Sequence, residues 1–245
     1  MAFNPFSLEG KTILITGASS GIGRGIAIVC SKMGGKIILN GRNEKRLAET
    51  LMQMDGEGHQ IVIADLTDCK SLPIAVTALP CLDGIVHCAG VGQRIPCKYL
   101  QEENVDDVIV TNFKAPVMLQ TEILRQRKIN RRASIVFIAS IASDSPSMGN
   151  AVYSASKGAI ISYANCLGAE LASRLIRVNC ISPAMVWTDL VFNGGLTEEQ
   201  LKNDETKYPL KRYGTPEDIA YLAVYMLSDA STWMTGSNVK ITGGI

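Results

Sequence analysis

The chain has 245 residues, 47% of them hydrophobic and 19% charged, enough apolar side chain to bury one sizeable core in a single domain over residues 1–245. A formal net charge of +1 excludes a general electrostatic attraction to nucleic acid or an anionic membrane, so any charged partner must be read from local clusters. Seven scattered cysteines without a Cys-x-x-Cys pair, with only His59 and His87 beside them, exclude a disulfide framework and a zinc site.

In chain order, a β-branched run over Lys11–Thr16 predicts a first strand, and the glycines after it lead into a helix over Gly21–Met33. A strand at Lys36–Asn40, a helix at Glu44–Met54 and strands at Gln60–Ala64 and Gly84–Cys88 follow. The second half reads as a helix over Asn104–Gln126, a strand at Ser134–Ala139, a helix over Ala151–Ser173 and a strand at Arg177–Ile181. An irregular stretch at about 189–213, containing Gly194-Gly195 and Pro209, comes next. Thr215-Pro216-Glu217 then supplies an N-cap, a proline at N1 and an early acid for a helix over Pro216–Leu227, and a strand at Asn238–Ile241 closes the pattern.

These runs are apolar almost throughout rather than alternating, as strands buried on both faces must be. The expected fold is therefore α/β, a doubly wound Rossmann-type parallel sheet of about seven strands with helices on both faces. Ligands of such sheets bind at the carboxyl ends of the strands, so the 189–213 stretch is expected to be a substrate-loop insertion there. Met1–Lys11 lacks a basic stretch followed by an apolar one, and no later stretch approaches about 18 uninterrupted apolar residues. The chain reads as cytoplasmic, with reduced thiols and neither nucleic acid nor membrane as partner.

Between the first strand and helix lies Thr16-Gly17-Ala18-Ser19-Ser20-Gly21-Ile22-Gly23. Glycines there let backbone approach a pyrophosphate, whose charge the helix N–H groups and macrodipole stabilise. The spacing Gly-x-x-x-Gly-x-Gly departs from the common Gly-x-Gly-x-x-Gly fingerprint. The same loop also satisfies Gly-x-Ser-x-Gly over Gly17–Gly21, the nucleophile elbow of an α/β-hydrolase. That enzyme class needs an acid and then a histidine after the serine, and no histidine follows His87.

Tyr153 and Lys157 are four residues apart in a predicted helix, so they share one face. An ammonium beside a phenol favours its phenolate, and together the two read as a proton shuttle, although a lone Tyr-x-x-x-Lys also fits a solvated helix face. Ser140 follows the Ser134–Ala139 strand, where its hydroxyl could donate to a substrate carbonyl, and Asn112 lies in the preceding helix.

In this order and spacing, Thr16–Gly23, Asn112, Ser140 and Tyr153-Ser154-Ala155-Ser156-Lys157 resemble the short-chain dehydrogenase/reductase family over nearly the whole chain. The resemblance implies Tyr153 as general acid for carbonyl reduction and Lys157 as holder of the nicotinamide ribose and activator of Tyr153. It implies Ser140 as the group that orients the carbonyl and Asn112 as anchor of a water in the proton relay. Cofactor contacts implied in the same way are Gly17, Ser19, Ser20, Gly21, Ile22 and Gly23 in the glycine loop, and Asp65 and Leu66 by the adenine. Ala89 and Gly90 would lie by the adenine ribose, and Pro183, Val186 and Thr188 by the nicotinamide. Three places depart from the family pattern. His87-Cys88 stands for Asn-Asn before Ala89-Gly90, Ala184 for the glycine after Pro183, and Thr242 for an aspartate before Gly243-Gly244.

After the second strand, Gly41 stands where NAD-preferring relatives carry an acid, and Arg42 follows it. An arginine there pairs with a 2′-phosphate, which favours NADP(H) over NAD(H), although Ser20 lacks the second basic charge of some NADP-dependent members. Pocket walls are expected from Val91–Pro96, Ile141–Val152 and Asp189–Tyr208, with Leu190, Val191, Phe192, Leu196 and Tyr208 as an apolar lid or as plain helix packing. Arg125, Arg127, Lys128, Arg131 and Arg132 crowd the segment before Ser140, and Arg131 and Arg174 resemble the basic residues with which β-ketoacyl carrier-protein reductases dock acyl carrier protein. The patch is expected beside the active-site entrance, although most such runs are solvated faces. Substrates in view are thus a 3-oxoacyl carrier-protein thioester or another small ketone, sugar or steroid-like alcohol. A homotetramer follows by resemblance alone. The other functional class is a protein that binds NADP(H) without turning over, against which the set Asn112, Ser140, Tyr153 and Lys157 argues.

Overall fold

The computed structural model describes residues 3–145, 147–192 and 197–245. Strands form where the apolar runs predict them: β1 (Thr12–Thr16), β2 (Lys36–Gly41), β3 (Gln60–Ile63), β4 (Leu82–His87), β5 (Ile129–Ile138), β6 (Arg177–Pro183) and β7 (Asn238–Ile241). They pair in the order β3-β2-β1-β4-β5-β6-β7, every neighbour parallel. The chain leaves β1 towards β2 on one side and resumes with β4 on the other. That reversal opens a crevice at the carboxyl ends of β1 and β4.

The helices among the described residues are α1 (Gly21–Lys32), α2 (Glu44–Leu51), α3 (Leu72–Thr77), α4 (Glu102–Ile109), α5 (Ala115–Arg125), α6 (Ala151–Leu171), α7 (Asp189–Phe192), α8 (Glu198–Glu205) and α9 (Pro216–Leu227). Two cores explain why the strands read as continuously apolar. Ile13, Ile15 and Leu39 pack with Ile26 of α1, Leu47 of α2 and Ala223 of α9. Their neighbours in the same strands, Leu14 and Ile38, join Phe137, Ile123 of α5 and Ile160 of α6 on the other face. Each such buried aliphatic side chain contributes about 1.5–3 kcal/mol relative to exposure. At α9 the predicted cap is in place: Thr215 Oγ1 accepts from Asp218 N at 3.4 Å, and Asp218 Oδ2 accepts from Thr215 N at 2.8 Å.

Several elements differ from expectation, among them α7 and α8 in the stretch read as irregular. The six-residue α3 is too short to show a helical period. The helix expected over Asn104–Gln126 is divided into α4 and α5 by a π-helical turn at Val110–Lys114. Pro116 has no N–H to return to the carbonyl four residues before it, that of Asn112, so regular α-helix cannot run through. Finally, β5 begins at Ile129, because its first residues pair with β4 before a bulge: Leu82 opposes Ile129, whereas Gly84 opposes Ser134. The polar residues of that bulge hide the start of the strand from an apolar pattern.

Candidate active site

The glycine loop crosses the crevice between β1 and α1. Gly17 has φ of 66°, and a Cβ there would lie 2.9 Å from the Ala89 backbone; a Cβ on Gly23 would lie 2.3 Å from the Gly17 carbonyl oxygen. Only glycine leaves this passage open. Thr16 Oγ1 accepts from Cys88 N and Ala89 N at 3.0 and 3.1 Å and so ties β1 to the chain leaving β4. Ser20, the N-cap of α1, makes no side-chain cap bond, and no acid occupies the first turn. The positive end of a twelve-residue helix is thus left to an outside anion.

A cleft of about 1100 Å³ runs from this loop along the carboxyl ends of the strands. Gly17, Ser19, Ser20, Gly21, Ile22 and Gly23 line its floor, with Ala89 and Gly90 beside them. Ser140, Tyr153 and Lys157 line it, with Ser140 just after β5; Pro183, Val186 and Thr188 line it at the end of β6 and beyond, and Arg42, Asp65 and Leu66 line its far end, after β2 and β3. Lys157 is 7% exposed; its Nζ donates to the Ile138 carbonyl at 2.8 Å and lies 5.8 Å from the centre of the Tyr153 ring. Ser140 Oγ accepts from Ala142 N at 3.1 Å, an arrangement that orients the oxygen and leaves its hydrogen for another acceptor. Desolvation pushes the Cys88 thiol on the cleft wall up to about 12 despite the Lys157 ammonium, so it is a neutral group there.

Asn112 does not line the cleft. From the π-helical turn its Oδ1 accepts from Val91 N at 2.8 Å, and its Nδ2 donates to the Val91 carbonyl at 2.9 Å and to Ser156 Oγ at 3.1 Å. Ser156 Oγ in turn donates to the Tyr153 carbonyl at 2.7 Å. Asn112 therefore fastens the segment after β4 to the turn of α6 that carries Tyr153 and Lys157. His87, one of the family departures, is buried, stacks on Phe137 at 4.5 Å and bonds Gln120 at 3.1 Å. Burial lowers its pKa to about 4, the Gln120 bond only partly opposing the shift.

At the far end, Arg42 Nη1 lies 3.8 Å from Asp65 Oδ2 with both side chains well exposed. Hydrogen bonds from Thr67, first its N–H and then its hydroxyl, hold the Asp65 carboxyl below the usual range, and Arg42 adds to the effect. Two arginines escaped sequence reasoning. Arg24 donates to the Ser19 carbonyl at 2.6 Å and braces the loop, and Arg46 of α2 pairs with Asp189 of α7. The signal for Arg46 was its place in the first turn of the helix after β2.

On the substrate side, Leu190, Val191 and Tyr208 line the cleft, whereas Phe192 stacks on Trp187 at 5.2 Å. Leu196 and Gly194-Gly195 lie outside the described residues. The basic patch is not beside this entrance in the chain. Arg131 and Arg132 sit at the amino end of β5, and Ser140 follows its carboxyl end, about 20 Å of strand away counting from Ser134. Lys128 Nζ donates to the Thr77 and Leu79 carbonyls at 2.9 and 2.6 Å, and Arg174 donates to the Ile129 carbonyl at 2.6 Å. Among the described residues, no cluster of three or more His, Cys, Asp or Glu is placed to hold a metal, and no helix is long and apolar enough to cross a membrane.

The family profile described as enoyl-(acyl carrier protein) reductase matches residues 17–245. The 3-oxoacyl-(acyl-carrier-protein) reductase FabG of Rickettsia felis is 34% identical over 238 residues, covering 97% of this chain and 98% of that protein. A solved structure described as a candidate gluconate dehydrogenase, from Agrobacterium tumefaciens, superposes with a TM-score of 0.91 at 28% identity, covering 98% of each chain. Another, a candidate NAD(P)-dependent gluconate 5-dehydrogenase of Beutenbergia cavernae with bound NADP, gives 0.87 at 29% identity, again over 98% of each.

Proposed function

Because the chain belongs to the short-chain dehydrogenase/reductase family, and is thereby an oxidoreductase of CH–OH and C=O groups, we propose that it is NADP(H)-dependent and reduces 3-oxoacyl thioesters of acyl carrier protein through Ser140, Tyr153 and Lys157. The observation that carries this reading is that the three side chains meet in the same cleft as an uncapped helix N-terminus and a loop with no room for a Cβ at Gly17 or Gly23. Those features suit the diphosphate of a dinucleotide, and Arg42, with no acid at position 41, suits a 2′-phosphate. Bound there, the nicotinamide supplies the hydride.

The rest falls to the chain's own residues. The Ser140 hydroxyl donates to the carbonyl oxygen and fixes its position. Tyr153 gives its phenolic proton to that oxygen as it becomes an alcohol, and the Lys157 ammonium offsets the charge left on the phenolate while holding the ribose hydroxyls. Asn112 acts at one remove, keeping α6 in register with the cleft wall. Residues 1–245 are read as one domain with the 189–213 stretch as its substrate-side insertion. Four copies in contact through α4, α5 and α6, in the reducing cytoplasm, are the assembly that the family resemblance and the free cysteines support.

A polyol or sugar acid is the second substrate reading, favoured by Gln93, Arg94 and Asn150 on the cleft wall. NADPH and NADH oxidation, followed by absorbance against 3-oxoacyl thioesters, ketones and sugars, decides between them. The proposal expects fastest turnover of the thioesters, with NADPH preferred at least about tenfold. Reduction of a keto sugar or keto sugar acid alone would move the assignment to the second reading, and tight NADPH binding without turnover of any compound would leave a non-catalytic binder.

A further inference from the structure

Arg46 and Asp189 join the two sides of the cleft mouth. Arg46 stands in the first turn of α2, where its N–H bonds the Asn43 cap at 3.0 Å, and α2 is seated on the first core through Leu47. Its guanidinium meets the carboxylate of Asp189, the first residue of α7, and both side chains line the cleft. Asp189 directly follows Thr188 and precedes Leu190 and Val191 on the opposite wall. The ion pair is therefore a strap from the adenosine end of the cleft to the substrate-side segment. At 41% and 54% side-chain exposure it is a weak link, because water competes for both partners. A phosphate dianion offers the guanidinium more charge and a bidentate grip. Arg42, four residues earlier, already has a carboxylate of its own in Asp65 at 3.8 Å.

We infer that Arg46 is a second ligand for the cofactor 2′-phosphate and that Asp189 holds it in reserve. The arriving 2′-phosphate takes Arg46 from Asp189, so recognition of the phosphorylated cofactor frees α7, whereas a cofactor lacking that phosphate leaves the strap closed. By linkage, whatever frees α7 also tightens the hold on the 2′-phosphate. This rests on the NADP(H) reading above.

Trp187 stacks on Phe192 of α7 and reports its position; Trp233, the only other tryptophan and fully exposed, is replaced by phenylalanine to leave one fluorophore. The full-length protein is titrated with adenosine 2′,5′-bisphosphate and with 5′-AMP. The bisphosphate is expected to change Trp187 emission and saturating 5′-AMP to leave it unchanged. Asp189→Asn should bind the bisphosphate about 2- to 5-fold more tightly with unchanged affinity for 5′-AMP. Arg46→Met should lose about tenfold for the bisphosphate alone, and in that background Asp189→Asn should have no further effect. A gain from Asp189→Asn that persists without Arg46 means plain repulsion at a distance and overturns the strap. A parent that prefers the bisphosphate with no dependence on Arg46 also overturns it and leaves the cofactor reading standing, whereas equal binding of the two nucleotides overturns the cofactor reading and the strap with it.

Discussion

Removing one oxygen from Tyr153 separates chemistry from binding. Tyr153→Phe keeps the ring beside Lys157 Nζ, which stays tied to the Ile138 carbonyl, so the cofactor cradle is undisturbed. Loss of the proton donor is expected to lower kcat at least ~10²-fold while NADPH affinity, read by fluorescence titration, stays within about twofold; a variant that reduces its best substrate at the parental rate removes Tyr153 from the mechanism. His87 carries a different prediction, about stability. Its pKa is about 4 in the folded protein against 6.5 for a free side chain, because desolvation of the imidazolium outweighs the Gln120 bond. Above pH 6.5 the ring is neutral in both states and costs nothing. As pH falls towards 4 the unfolded chain takes up a proton that the folded one refuses, so stability drops by about 2 kcal/mol between pH 7 and pH 5. Urea titrations should find that slope in the parent and lose most of it in His87→Asn; an unchanged slope would place the titrating group elsewhere.

At the scale of elements, the NADP(H) reading predicts that cofactor choice is set in the turn from β2 into α2. A Cβ at Gly41 meets only the tip of Leu47, at 3.3 Å, so a side chain fits there with a small shift. Gly41→Asp with Arg42→Leu adds a repelling carboxylate and removes a charge-assisted bond, each worth about 1.5–3 kcal/mol in a desolvated site and less where both ends are exposed, as Arg42 is. The double variant should therefore bind NADPH at least about tenfold more weakly and NADH no worse; equal NADPH affinity by titration would show that the 2′-phosphate is held elsewhere. Elements such as β1, β2, β6 and α9 were legible because burial on both faces, or a capping threonine with proline, marks them locally. The π-helical turn was not, since Pro116 announces a disturbance without saying where the backbone absorbs it. Nor was the bulged start of β5, whose pairing with Leu82 is a property of two distant segments. The same division holds in the cleft. Ser140, Tyr153 and Lys157 were legible because one element end and one helix face bring them close, whereas the reach of Arg46 to Asp189, 143 residues away, exists only in the folded chain.

The whole molecule carries almost no net charge, so a local concentration of one sign is felt by a charged partner without a competing global field. Arg125, Arg127, Arg131 and Arg132 are exposed around the amino end of β5. If the proposed carrier-protein substrate is right, their distance from Ser140 within one chain predicts that they act on the encounter with that acidic partner rather than on the acyl group itself. Of the two arginines that resemble carrier-docking residues, Arg174 is committed to the Ile129 carbonyl, and replacing it would mix folding with docking. Arg131→Glu with Arg132→Glu is the cleaner test: two exposed cations become anions in the bulge before Ser134, where neither takes part in the pairing of the strand. At about 10 mM ionic strength, where charges are felt over roughly 30 Å, the parent should process carrier-bound 3-oxoacyl substrate with a higher kcat/KM than the same acyl group on a small thiol. That advantage should shrink about tenfold towards 0.15 M salt, where the screening length is about 8 Å, and the double variant should lack it at both salts while turning over the small thioester as the parent does. If the parent shows no preference for the carrier-bound substrate at low salt, the patch is a solvated surface and the chain reduces a small free carbonyl compound instead.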